Sequence, residues 1–492
     1  MSALIDKLGL EVDAAADDKD TSKLLELTGQ CQSEFGNANT TERVILRFYE
    51  ANCYGAIARI KSASSDYRWS WHEDERVSEI LALRQAVVEP NFSKLDPIIQ
   101  CKILTNLGNN LNHLGRPIEA ISHWDKSLEI MPGFAMALGN KGKGLIYYGR
   151  SLYDYSHTGI LTAYANDELN KAISEDVLWD SGPHPEAKEQ FTHYHDQSIQ
   201  ILAAIQYDSE FDLDQWPLGQ SKAETTYRGW CLHQRLFLSP LNDALRLTAA
   251  AQDVIHLPSH TCKIEEKPRF PNYYNLLKQE YVAARYMLYE AINEGNEHIS
   301  DNDVLLLDGF DGVQFGYRAE QLKTAYRLAY SLFDKIGLFL NDYYSVGMSA
   351  GAVKFRTIWG TREKSKFELY ACFSESKNWP LRGLYYLSKD LFDENFNDVA
   401  LPDSQELANL RNRTEHRFLS LQDYPANVQD SVTHAYMTIA DFADKTLRIM
   451  SMAREALIYL SLAMHREESL RHQNDDDSIL SIPIPSVPIE RL

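Results

Sequence analysis

The stretch ELANLRNRTEHRFLSL, residues 406–421, gathers Arg411, Asn412, Arg413, Glu415, His416 and Arg417 within seven positions. A histidine with an ordinary pKa near 6.5 can take or give a proton at neutral pH, and arginine is a permanent cation whose fork fits phosphoryl oxygens. Phosphodiester chemistry needs both kinds of group. Leu407, Leu410, Thr414 and Phe418, with Leu421 nearby, recur at helical spacing and predict one buried stripe, with Asp403 or Ser404 as N-cap. On such a helix Arg411 and His416 diverge by roughly 140° and lie about 7.5 Å apart along the axis. Asn412 stacks one turn from His416, and Arg411 one turn from Glu415. One helix therefore does not aim Arg411 and His416 at one atom; a neighbouring helix or a second protomer must close the site. The bland alternative is a solvated polar face with an Arg411–Glu415 pair.

The elements around this stretch read as helices. YNLLKQEYVAARYMLYEAIN and RAEQLKTAYRLAYSLFDKIGLFLNDYY precede it, and DSVTHAYMTIADFADKTLRIMSMAREALIYLSLAMHRE follows as one long helix. In that setting RNRTEH resembles the R-x4-6-H motif of HEPN domains, whose arginine is usually followed by a polar residue, here Asn412. The resemblance covers roughly 270–472 and implies a helical bundle with the motif on its third helix. It further implies metal-independent RNA cleavage in a cleft between two paired domains. Under it His416 is the general acid or base, Arg411 stabilises charge on the phosphoryl oxygens, and Asn412 bonds the imidazole or the substrate. The products would carry 2′,3′-cyclic phosphate and 5′-hydroxyl ends.

The N-terminal half reads differently. In CKILTNLGNNLNHLGRPIEAISHWDKSLEIMPG, Leu104, Leu107, Gly108, Leu111, Gly115, Ala120, Trp124 and Pro132 fall where a 34-residue tetratricopeptide unit places them. The small residues let two helices approach, Trp124 fills the gap, and Pro132 stops the second helix. A looser unit follows from Ala135, and residues 21–90 suggest two more helix pairs. The expected fold is all-α: a tetratricopeptide-like α-solenoid over 1–172, with 101–134 as its clearest repeat. Further helices and loops over 173–270 would continue the solenoid; a HEPN-like bundle over 271–472 and an extended tail over 473–492 complete the chain. Solenoids present concave surfaces, so a protein or peptide trigger is an expected partner.

VKFRTIWGTREKSKFEL, residues 353–369, interleaves Lys354 and Arg356 with Phe355 and Trp359, the combination used to hold single-stranded RNA. With Arg413 and Arg417 these residues are the candidate RNA contacts; the alternative is a loop or hairpin whose aromatics anchor the core. Cys231, His233, His256, His260 and Cys262 match no zinc spacing, and Pro258 interrupts the histidine pair, so neither metal nor cofactor is expected. DNDVLLLDGFDG, residues 301–312, is acidic and turn-rich but lacks the rhythm and closing glutamate of a calcium loop. No Walker loop, dinucleotide fingerprint or HExxH is present.

A net charge of −21 argues against a basic coat for non-specific nucleic-acid binding, so any RNA site must be local. Six scattered cysteines, no signal-like N-terminus and no long apolar run point to a reducing cytoplasm without membrane contact. The expected activity is a HEPN-type endoribonuclease acting as a homodimer, a regulated toxin or antiviral effector. A non-catalytic adaptor and a nucleotide-binding HEPN domain are the alternatives.

Overall fold

The structure, a computed structural model, describes residues 3–63, 69–180, 182, 184–258, 268–293, 298–363, 366–392, 410, 413–414, 417–424 and 431–474. In the N-terminal half the helices are α1 (Ala3–Asp17), α2 (Thr21–Glu34), α3 (Thr40–Ser62), α4 (Asp74–Val88), α5 (Pro97–His113), α6 (Pro117–Ile130), α7 (Ala135–Arg150) and α8 (Tyr155–Ile173). Sequence punctuation fixes their ends. Pro97 and Pro117 open α5 and α6, where a missing N–H costs nothing. Gly115, at φ +87°, takes the left-handed position after α5, and Arg116 N–H reaches back to Leu111 O at 2.9 Å. The α5–α6 hairpin closes on Trp124, which is buried and donates to Asn109 Oδ1 at 3.1 Å. A Cβ on Gly108 would stand 2.6 Å from the indole nitrogen, and one on Gly144 of α7 would stand 2.5 Å from its ring. As the spacing predicts, α6 ends before Pro132.

Helix α9 (Pro185–Ala204) packs on α8. The segment after it, with α10 (Lys222–His233) and the short α11 (Leu241–Ala244), packs both on α6 and α8 and against the C-terminal helices. These are α12 (Arg269–Asn293), α13 (Tyr317–Tyr343), the short α14 (Ala371–Ser374), α15 (Trp379–Phe392) and α16 (Ile439–Asn474). Helices α12, α13 and α15 all pack on α16, which is buried along most of 449–464. The chain is all-α, with two small strand pairs among the described residues. An antiparallel hairpin joins β1 (Gly360–Glu363) to β2 (Lys366–Leu369), and β3 (Phe418–Gln422) lies parallel to β4 (His434–Thr438).

The second pair corrects two helix boundaries. Residues 418–422 are not the end of a helix over 406–421, and 434–438 are not the start of the long C-terminal helix. In β3 the residues that alternate inward are Leu419 and Leu421, facing Ala435 and Met437 of β4 in register, while Phe418 of the expected stripe is exposed. At the other boundary Thr438 caps α16: its Oγ1 accepts from Asp441 N–H at 3.0 Å and donates to Asp441 Oδ2 at 2.6 Å. That Thr-x-x-Asp cap is a helix start, so the helix cannot have begun earlier.

The two halves share one continuous core. Arg84 of α4 donates to both oxygens of Asp390 on α15 (2.8 and 3.0 Å) and to Glu119 of α6 (3.0 Å). Arg116 pairs with Asp390 and Glu119 and stands 3.7 Å from Glu455 of α16. Here two guanidiniums meet three carboxylates, and burial pushes Glu455 up to about 8, so it holds a proton at neutral pH. Close by, Arg382 of α15 pairs with Glu73, which also meets Arg76 and His113. Arg454 of α16 donates to Asp243 (2.6 Å) and to the carbonyls of Phe237 and Ser239. Such pairs need not add net stability, but removing one partner strands a buried charge.

Candidate functional site

Between α15 and β3 the described residues are Leu410, Arg413, Thr414 and Arg417. Leu410 is fully buried and in helical conformation, and Arg413 and Thr414 are helical and half-buried. Arg417 N–H donates to Arg413 O at 3.1 Å, the last helical bond before the strand. Of the expected stripe, Leu410 is therefore buried, Thr414 half-buried and Phe418 exposed. Arg411, Asn412 and His416 lie outside the described residues.

Of the expected RNA contacts, Arg417 is exposed and its Nη1 donates to Val432 O at 2.9 Å, which pins it to the approach to β4. Arg413 is half-buried and already engaged. Lys354 and Arg356 are exposed, Lys354 Nζ lying 3.4 Å from Asp334. Trp359 is a correction. It is 1% exposed, with its ring 5.1 Å from Phe373 and 5.5 Å from Tyr385, so it has no free face on which a base could stack. Phe355 is likewise buried, against Phe333. The alternation of cations and rings in 353–359 separates a solvated side from a core side.

The structure adds a group that the sequence hid. On the outer face of the β3–β4 pair, Ser420 Oγ and His434 Nε2 are 2.8 Å apart, and the His434 ring stacks on Tyr436 at 4.3 Å. Phe418 stands 6.0 Å from the same imidazole. Strand β3 starts one residue after Arg417, which itself follows His416, so this half-exposed histidine belongs to the surface that the motif leads into. The T-H-A-Y-M-T alternation of 433–438, with Ala435 and Met437 inward, was the available signal.

The cysteine and histidine group of the middle region splits up. Cys231 is fully buried and its thiol is pushed up to about 11 by burial. His256 instead packs on Tyr153, whose hydroxyl donates to His256 O at 3.0 Å. His260 and Cys262 lie outside the described residues. Among the described residues no cluster of three metal-ligating side chains occurs, and no helix is long and apolar enough to cross a membrane.

The bundle of α12, α13, α15 and α16, with an arginine- and histidine-bearing segment between its last two helices, is the arrangement to compare with known families. Residues 261–467 match the family model described as LA2681-like HEPN. The HEPN-like region thus runs from just before α12 to near the end of α16 and contains the whole 406–421 stretch. It is less than half of the 492 residues, and α1 to α11 lie outside it. No curated protein and no solved structure matches the chain.

Proposed function

We propose that the chain is a metal-independent endoribonuclease whose HEPN-like region pairs with a second copy to form the cleavage site. The observation that carries this reading is the Arg411-x4-His416 spacing inside the segment similar to HEPN domains, between α15 and α16. His416 takes the proton of the ribose 2′-hydroxyl, or returns one to the departing 5′-oxygen, as the 2′-oxygen attacks the adjacent phosphorus and the P–O5′ bond breaks. Arg411 holds the charge that builds on the phosphoryl oxygens, and Asn412 orients the imidazole or the substrate. The products are a 2′,3′-cyclic phosphate and a 5′-hydroxyl. On a regular helix Arg411 and His416 would diverge, and on this reading a second copy, rather than a neighbouring helix, closes the site. Lys354, Arg356, Arg413 and Arg417 supply phosphate contacts.

A ribonuclease of this kind must be restrained. We read the protein as a regulated effector, of toxin or antiviral type, with the tetratricopeptide-like helices offering a surface to a trigger. The test is incubation of purified full-length protein with total RNA in EDTA. Cleavage that persists in EDTA, leaves cyclic phosphate ends and disappears in both Arg411→Ala and His416→Ala is the expected result. Wild-type protein as inert as the two variants even with its natural trigger present, or cleavage that EDTA abolishes, refutes the reading.

A further inference from the structure

The acidic stretch 301–312, idle in the reading above, forms an open arm beside β3. Its returning limb extends the sheet: Gln314 N–H donates to Leu421 O at 2.7 Å, Asp423 N–H reaches Gly312 O at 3.3 Å, and Gln422 Nε2 reaches Asp311 O at 2.6 Å. The turn between the limbs uses Phe310 and Gly312 at positive φ. The outgoing limb, Val304 to Leu307, belongs to no helix or strand. Among the described residues no hydrogen bond engages the backbone of Leu305, Leu306 or Leu307. Leu305 and Leu307 are each 95% exposed, and Phe310 at the tip is 92% exposed. Between the arm and β3 opens a cavity of about 390 Å³ lined by Leu306, Val313, Phe315, Leu419 and Leu421.

Natural sheets guard such edges with lysine, proline or a covering element. This limb has none of these, and an exposed apolar run beside a cavity marks a contact surface. Its charge selects the partner. Asp301, Asp303, Asp308 and Asp311 punctuate the arm, Glu320 stands at the cavity, and the cation there, Lys323, is already paired with Glu320 at 2.8 Å. Self-pairing is disfavoured: an antiparallel match of two copies centred on Leu305 and Leu306 sets Asp303 against Asp308 at both ends.

We propose that the outgoing limb 304–307 is a docking edge for an extended apolar segment of another protein, flanked by lysine or arginine, which adds as a strand and fills the cavity. Main-chain bonds to the limb provide the pairing, Leu305 and Leu307 pack against the incoming apolar side chains, and the flanking cations meet Asp303 and Asp308. The cavity is walled by Leu419, Ser420 and Leu421 of β3, the strand that directly follows the motif in the chain. On the ribonuclease reading the docked strand therefore bears on the catalytic segment, whereas the docking itself does not depend on that reading.

The test uses the full-length protein and a fluorescein-labelled peptide, Lys-Lys-Val-Ile-Val-Ile-Lys-Lys, with fluorescence anisotropy as readout. The charge-neutral pair Leu305→Ser/Leu307→Ser is expected to weaken binding about 30-fold, since it removes two side chains buried on docking. Asp303→Asn/Asp308→Asn is expected to weaken it and to lower its salt dependence. A peptide with proline in place of both valines and both isoleucines has no N–H in its apolar stretch to donate to the limb and should not bind. Both variants change exposed positions, and an unchanged melting temperature verifies their fold. Equal binding of wild type and the leucine pair, or of a glutamate-flanked peptide, overturns the proposal. So does sedimentation in which the leucine pair turns a wild-type dimer into a monomer, because a second copy then occupies the edge. RNA cleavage is scored separately, so loss of activity and loss of docking are told apart.

Discussion

Replacing Gly383 with alanine should loosen the joint between the two halves. Gly383 on α15 lies against Gly115, the glycine that ends α5, and a Cβ at 383 would press on the Gly115 carbonyl, 2.7 Å from its carbon. Carbon atoms in contact prefer about 3.5–4.0 Å, so α15 must retreat by roughly 1 Å. The opposing surface is backbone and cannot swing aside. A retreat lengthens the Trp379 Nε1 bond to Asn112 O, now 2.9 Å, and strains the Arg382 contacts with Glu73 and His113 O and the Arg116–Asp390 pair. Overpacking of this kind costs about 1–3 kcal/mol. Weakening, without breaking, buried ion pairs adds to it, since outright removal of a partner costs about 3–5 kcal/mol. Alanine returns about 1 kcal/mol of helix propensity. The expected net loss is about 2–3 kcal/mol, a large share of the roughly 5–15 kcal/mol that holds a domain folded. Urea unfolding of the full chain, followed by tryptophan fluorescence, should show the midpoint falling. Gly36→Ala is the control, because nothing lies within 4 Å of a Cβ there. A Gly383→Ala midpoint indistinguishable from wild type, or a Gly36→Ala loss just as large, would refute the packing argument.

Glu455→Gln should change how stability responds to pH. The folded pKa of Glu455 is raised to about 8, by burial first and then by Glu119 and Asp243. Its stabilising proton is therefore fully present below the unfolded value and is lost as pH rises through about 8. Wild-type melting temperature should fall between pH 6 and pH 9 more steeply than that of the glutamine variant, which keeps the neutral shape; parallel curves would contradict the assignment. Trp359→Ala should destabilise by about 3–5 kcal/mol, as truncation of a buried ring does. Arg356→Ala should leave unfolding within about 0.5 kcal/mol of wild type and, if the cleft takes RNA, lower the salt slope of RNA binding by about 1. A stable Trp359→Ala protein with selectively impaired RNA binding would show that the indole is not a core anchor.

The parts legible in the sequence are those whose cause is local. Pro97, Gly115, Pro117 and Pro132 announce the ends of α5 and α6, and the Gly108–Trp124 match announces their contact, because steric rules act over a few residues. Residues 418–422 are ambiguous in sequence because Phe418 and Leu421 fit a helical period as well as Leu419 and Leu421 fit a strand. Only pairing with 434–438 decides between them. The start of α16 is local by contrast, marked by Thr438-x-x-Asp441. The burial of Trp359 depends on Phe373 and Tyr385, which no local pattern connects to it. The charge cluster of Arg84, Arg116, Asp390 and Glu455 spans hundreds of residues, so its members read individually as solvated charges.

These contrasts bear on where a signal could enter. The joint between the halves is held by buried ion pairs, a backbone-on-backbone glycine contact and a continuous core, so shifting it means breaking several interactions together. The outgoing limb of 301–312 is the opposite: apolar and exposed, with the backbone of Leu305, Leu306 and Leu307 unbonded, it has little to lose and hydrogen bonds to gain. A ligand shifts an equilibrium only by its differential affinity for the two states, and that difference is largest where one state leaves bonding groups empty. The limb borders the cavity whose far wall is β3, and β3 is continuous in the chain with the arginine–histidine segment. On the proposed reading, then, a strand docked on the limb bears on the cleavage segment through the cavity wall that β3 forms, beside any trigger that the helical N-terminal half holds.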